Sequence, residues 1–150
     1  MPANTAPIFP LTPYTAIADL SAASACTSRV PTATASMAAS AVYGIALGAV
    51  AGTNGRRIDK ISVKGCANAI AGATTAGTVI IWYDNATTSF PLTEILIPVV
   101  SPSASVASLE ASVSFTNLIL PSGHKLWAST TIAGAAAAHA LCVFAFGGDY

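Results

Sequence analysis

His124, Lys125 and Trp127 stand together in "LPSGHKLWAST" (120–130), where a possible base, a possible amine nucleophile and a large aromatic ring crowd into one short run. Acid–base or nucleophilic chemistry needs the base within hydrogen-bond reach of a nucleophile, with a third group to orient it. In an extended strand successive side chains point to opposite faces, so His124, Leu126, Ala128 and Thr130 go one way and Lys125, Trp127 and Ser129 the other. The stretch therefore reads as a turn followed by a strand. Pro121 and Gly123 occupy the second and fourth positions of a type I turn, with His124 solvated beside it. Lys125 keeps its ammonium in water, and Trp127 adds apolar area at a core edge or subunit interface.

The other chemically capable residues are scattered. Glu94 and Glu110 would be the paired carboxylates of a glycosidase only if folding brought them together, and nothing in their spacing does so. "GTNGRR" (52–57) lacks the lysine and hydroxyl residue of a phosphate loop and reads as a turn with two exposed arginines. Cys26, Cys66 and Cys142 are odd in number and far apart, with no CxxC and no histidine at a zinc-like spacing. They read as three free thiols, Cys142 being a small core residue inside "ALCVFAF". Asn85-Ala86-Thr87 matches the glycosylation pattern by chance, since no secretory signal is visible at the start of the chain. With two histidines, six acids and no HExxH, EF-hand loop or GxSxG, the sequence supports no catalytic, metal or cofactor assignment, and the expectation is a protein that is not an enzyme.

The elements that position these residues are bounded by composition. A chain of 150 residues suits one domain. It is 53% hydrophobic and 8% charged with zero net charge, whereas soluble monomers usually carry about a quarter charged residues. Much of the outside is therefore expected to be covered by other chains in a homo-oligomer. Six basic residues spread along the whole length form no stripe to neutralise phosphates, which argues against nucleic acid as a partner. The uncharged window from residue 30 to 55 is built on alanine, serine and glycine, which contribute little to membrane insertion, so no membrane is expected either.

Five of the nine prolines lie in the first forty residues, at positions 2, 7, 10, 13 and 31. Each fixes φ and removes a backbone donor, so residues 1–13 read as an extended strap opening an N-terminal arm of residues 1–40; "YTAIADLSAASA" suits a short helix or one strand followed by a small-residue loop, and 14–40 is taken as irregular. Residues 41–150 read as the domain proper. Short alternating or apolar runs punctuated by turn residues predict an all-β, antiparallel, jelly-roll-like β-sandwich of about seven to eight strands. "AVYGIALGAV" (41–50) is the first, ending at the Asn54-Gly55 turn. In "RIDKISVKG", Ile58, Lys60 and Ser62 face one way and Asp59, Ile61 and Val63 the other. "AGTVIIWYD" (76–84) is β-branched and aromatic, as a central strand should be. In "SFPLTEILIPV" (89–99), Leu92, Glu94 and Leu96 alternate with Thr93, Ile95 and Ile97. "EASVSFTNLIL" (110–120) puts Val113, Phe115, Asn117 and Ile119 on one side, and the last strand runs through "AHALCVFAF" (138–146).

The series "RRIDKISVKGCANAIAGATTAGTVIIWYDNATTSFPLTEILIPVV", then "LILPSGHKLWAST", then "FAFGGDY", resembles small virion structural proteins of tailed bacteriophages. It shares with them a "TAG" turn leading to an aromatic strand, an "LPAG"-type turn, an "L-x-AST" strand and a terminal "GGD". The resemblance covers residues 57 to 150. It implies a β-sandwich that decorates or cements a capsid, or belongs to the tail apparatus, in a virion assembled in the host cytoplasm. The partners it implies are the major capsid protein or other virion proteins, with a homotrimer by analogy to capsid decoration proteins. On this reading the arm would touch a neighbour through Ile8, Phe9, Leu11 and Tyr14, and Trp127 would lie at an interface. The other reading is a tail or head-fibre sandwich that binds a receptor or carbohydrate through exposed aromatics, with Tyr14, Tyr43, Trp82, Tyr83 and Trp127 as candidates.

Overall fold

The computed structural model describes residues 12–21, 23–39, 41–65, 74–103, 105–132 and 141–150. These residues form nine strands: β1 (Thr12–Asp19), β2 (Thr32–Ala33), β3 (Ile45–Ala46), β4 (Arg56–Gly65), β5 (Gly77–Asp84), β6 (Thr88–Ile97), β7 (Glu110–Leu120), β8 (Lys125–Thr130) and β9 (Leu141–Asp149). One antiparallel sheet has the order β1-β9-β4-β7, the other β2-β6-β5-β8-β3. With the two-residue β2 set aside, eight strands remain. Numbered along the chain, they read 1-8-3-6 in one sheet and 2-7-4-5 in the other. That order is the jelly roll, whose interleaved sheets bring the chain's first and last strands together.

Alternation places the core between the sheets. Ala16 and Ala18 of β1, Ile61 and Val63 of β4, and Val143 and Ala145 of β9 face Val79 and Ile81 of β5, Ile95 and Ile97 of β6, and Leu126 and Ala128 of β8. β5 is the central strand of its sheet, paired on both sides, as its β-branched run predicts. β6 keeps the expected alternation, with Ile95 and Ile97 buried and Leu96 exposed.

Elsewhere the long-range pairing overrides the local pattern. In β4 a register shift between Ile58 and Lys60 changes the parity, so Ile58 joins Ile61 and Val63 in the core instead of facing away from them. Opposite that irregularity, β7 runs from Ser114 to Leu118 while β4 advances from Lys60 to Ile58. Leu118 therefore packs inward and Ile119 is exposed, contrary to the expected face. Only Ile45–Ala46 of the expected strand 41–50 pairs in a sheet. The turn after β7 is displaced by one residue, closing from His124 N–H to the Pro121 carbonyl at 3.1 Å. Gly123, at φ +81°, takes the left-handed position there.

The largest departure concerns the expected arm. Thr12–Asp19 is not irregular; it is a full edge strand, registered with β9 from Thr12↔Asp149 to Asp19↔Cys142. Pro13 is tolerated because an edge strand leaves one row of donors unpaired. Ala16, Ala18, Leu20 and Ala23 all enter the main core. The chain then crosses to the outside of the five-stranded sheet, where Cys26, Met37 and Val42 pack on Ile80 and Trp82 with Trp127 at the margin. Residues 23–39 and 41–44 thus form a strap, secured by Cys26 N–H to the Thr130 carbonyl at 2.7 Å and Thr34 N–H to the Thr87 carbonyl at 2.9 Å. A surface ion pair, Arg29 to Glu94 at 2.6 Å, ties its outer side to β6.

Candidate functional site

The strap covers a polar network built on two tryptophans. Trp82 and Trp127 lie opposite each other on β5 and β8. Each indole donates to a neighbouring position of the facing strand, Trp82 Nε1–H to Ser129 Oγ at 2.8 Å and Trp127 Nε1–H to Asp84 Oδ2 at 2.7 Å. The other Asp84 oxygen accepts from Thr34 Oγ1 at 2.6 Å and from Ala86 N–H at 2.7 Å. Asp84 is fully buried and has no ion pair among the described residues, so these three donors replace its lost hydration. The Ala86 bond comes at the cost of positive φ, +72°, at a residue with a Cβ. The arrangement joins strap, turn and sheet through hydrogen bonds.

The stretch 120–130 separates as alternation requires. Leu126 and Ala128 belong to the main core, whereas Trp127 packs on the strap cluster and Lys125 Nζ lies 4.1 Å from its ring centroid, a cation–π contact. His124 is half-buried, not solvated: its Nδ1 is 2.5 Å from the Tyr83 hydroxyl, and the two rings are tilted together at 5.4 Å. Trp127 makes contacts within its own chain that sequence spacing could not reveal. Glu94 and Glu110 lie on the outer faces of opposite sheets, bonded to Arg29 and Lys64 respectively, and cannot act as a pair. Tyr43, exposed and at φ +48°, and Trp127 keep partly open surfaces, while Trp82 is wholly buried.

Arg56, expected on an exposed turn, is instead buried in β4. Its guanidinium bonds to Asp149 at 2.5 and 3.1 Å and to the Ala49 carbonyl at 2.8 Å, and lies 3.4 Å from the centre of the Tyr14 ring. The terminal "GGD" now has a physical meaning. A Cβ on Gly147 would come 1.9 Å from the Arg57 carbonyl oxygen, so glycine lets β9 approach β4, and Asp149 then neutralises Arg56. Tyr14 Oη donates to the Leu47 carbonyl at 3.2 Å, and burial raises its pKa against the lowering influence of Arg56. Tyr14 is thus a component of this latch. Ile8, Phe9 and Leu11, the other expected arm contacts, lie outside the described residues, as does Cys66.

On the outer face of the four-stranded sheet, no segment of the described residues plays the part of the strap. Three rows cross it: Thr15–Phe146–Lys60–Ser114, Ile17–Phe144–Ser62–Ser112 and Asp19–Cys142–Lys64–Glu110. Phe144 and Phe146 stack with centroids 6.3 Å apart, and Ile17 is 58% exposed beside them. Cys142 points to this face, not into the core, because Leu141, Val143 and Ala145 take the inward positions. The Ser21 N–H bonded to Asp19 Oδ1 at 2.8 Å holds the Asp19 carboxyl below its ordinary range.

Neither Cys26 nor Cys142 is in a disulfide. Among the described residues no group of three or more His, Cys, Asp or Glu could hold a metal ion, and no helix is long and apolar enough to cross a membrane. No protein-family model, curated protein or solved structure matches the chain.

Proposed function

We propose that the chain is a structural virion protein of the tailed-bacteriophage kind, a capsid decoration or cement protein that stabilises the head by bridging neighbouring subunits. The observation that supports this best is the jelly-roll strand order, an architecture used by viral capsid domains. The low-charge surface and the sequence resemblance point the same way. Fold alone does not carry function, so the reading rests on that combination. Its chemistry is non-catalytic: apolar and small polar side chains meet other virion proteins over a broad contact. The test is cryo-electron microscopy of particles from cells that produce the chain. Density for the sandwich between capsid subunits supports the proposal, whereas a position on a tail fibre, or absence from purified particles, overturns it.

A second reading, a receptor- or carbohydrate-binding sandwich, is favoured by partly open Tyr43 and Trp127, since jelly rolls also serve as lectins. Tyr14 and Trp82 do not support it, being committed to the Arg56 latch and the buried strap cluster. Binding of the intact chain to a glycan array, abolished by Tyr43→Ala, would establish this reading over the first.

A further inference from the structure

We infer that the uncovered face of the four-stranded sheet is a two-fold contact for a second copy of this chain, with the strands of the two copies crossing near right angles. Orthogonal packing is one of the two stable ways for sheets to meet face to face. The inference does not depend on the virion reading.

It follows from the register. Strands lie about 4.8 Å apart, and residues on one face recur about every 6.8 Å along a strand. Consider a two-fold axis lying in the contact plane and running diagonally from the Thr15 corner to the Glu110 corner, close to Phe144. This rotation lays Phe144 against Phe144 of the second copy and Phe146 against its Ile17, so the most apolar side chains of the face meet one another. It also brings Lys60 within about 4 Å laterally of Asp19 of the second copy, and the reciprocal pair forms by symmetry. Those two groups are the charges of this face without an ion pair among the described residues: Lys60 has none, and Asp19 is bonded to the neutral Ser21, through its backbone N–H and its side chain. Lys64 and Glu110, paired at 3.5 Å within the chain, alternate with their symmetry mates at the far corner. Aligning the strands of the two copies about an axis along the Phe144 row would instead set Lys60 against Lys64, a like-charge contact. The charge pattern therefore favours the crossed arrangement over that aligned one.

The size of the face sets the strength. Four strands by about 20 Å give roughly 400 Å² in projection, below the ~800 Å² per partner of a stable complex, so the dimer is reversible and concentration-dependent.

Sedimentation velocity of the full chain across a wide concentration range tests this. A monomer–dimer equilibrium is expected, weakened at least tenfold by Lys60→Asp and by Asp19→Lys and recovered when the two reversals are combined. Because Asp19→Lys also removes the bond to Ser21, a carbodiimide cross-link provides an independent readout on the unaltered chain. In an equal mixture of ¹⁴N- and ¹⁵N-labelled protein, Lys60–Asp19 linked peptides should include isotopic hybrids. Within one copy the two groups are about 17 Å apart laterally, too far for a zero-length link. A monomer at all concentrations, association only as trimers, charge reversals without effect, or absence of hybrid Lys60–Asp19 peptides would overturn the inference.

Discussion

Both outer faces of the sandwich carry a cluster of large apolar side chains, but the two are finished differently. On the five-stranded sheet, Trp82, Trp127 and Ile80 are overlaid by the chain's own residues 23–39 and 41–44. On the four-stranded sheet, Phe144 and Phe146 stack beside the exposed Ile17 and no strap of described residues overlies them. The physical difference lies in the polar handles. Each indole N–H must find an acceptor when buried, and the Asp84 carboxylate that accepts from Trp127 requires donors in turn, one of them Thr34 of the strap. Phenylalanine and isoleucine make no such demand, so their face can remain open until another surface meets it. The chain secures by itself the face whose tryptophans need specific hydrogen bonds, whereas on the other face the Phe144, Phe146 and Ile17 cluster, set among serines and charged residues, needs no such partners.

The sharpest way to break this contrast is to remove the covering segment. Deleting residues 1–30 takes away β1, Leu20 and the first part of the strap with Cys26, so we expect loss of the cooperative thermal transition in scanning calorimetry. A dispensable arm would leave that transition unchanged. Asp84→Ala leaves the Trp127 indole and the Ala86 N–H without their acceptor; urea unfolding should show a loss of about 3 kcal/mol, with Asp84→Asn milder because it keeps one acceptor oxygen.

A smaller effect is expected at the latch that fastens the uncovered sheet's first strand. The Tyr14 pKa is raised chiefly by burial, so folding favours its neutral form. The resulting stability is fully present below the ordinary tyrosine value of 10.0 and is lost as pH rises through the higher folded value. The wild-type melting temperature should consequently fall more steeply above pH 10 than that of Tyr14→Phe. Smallest of all, Ile17→Thr on the open face should change monomer stability by within about 0.5 kcal/mol, measured by dilute thermal denaturation, because it alters an exposed side chain and keeps a β-branched one.

Several of these features were legible in the sequence. Alternation in "HKLWAST" correctly sends Leu126 inward and Trp127 outward, and the β-branched run before Asp84 correctly marks a central strand. Proline spacing misled because it reports only what a backbone cannot do. Pro13 excludes a central strand yet permits the edge position that β1 takes. The burial of Arg56 had no local signal, since its partner Asp149 is 93 residues away.

What the sequence by itself determined is therefore the all-β class, a sandwich of short antiparallel strands and the faces of its regular strands, because period-two patterning and turn chemistry are local properties of the chain. The tertiary structure decided which strands neighbour one another, where the β4–β7 irregularity reverses a face, that β1 and the strap complete the fold, and which outer face that strap covers. Those outcomes depend on pairings between distant residues, each set by competition for the same buried space and hydrogen bonds, and no short window of sequence contains both competitors.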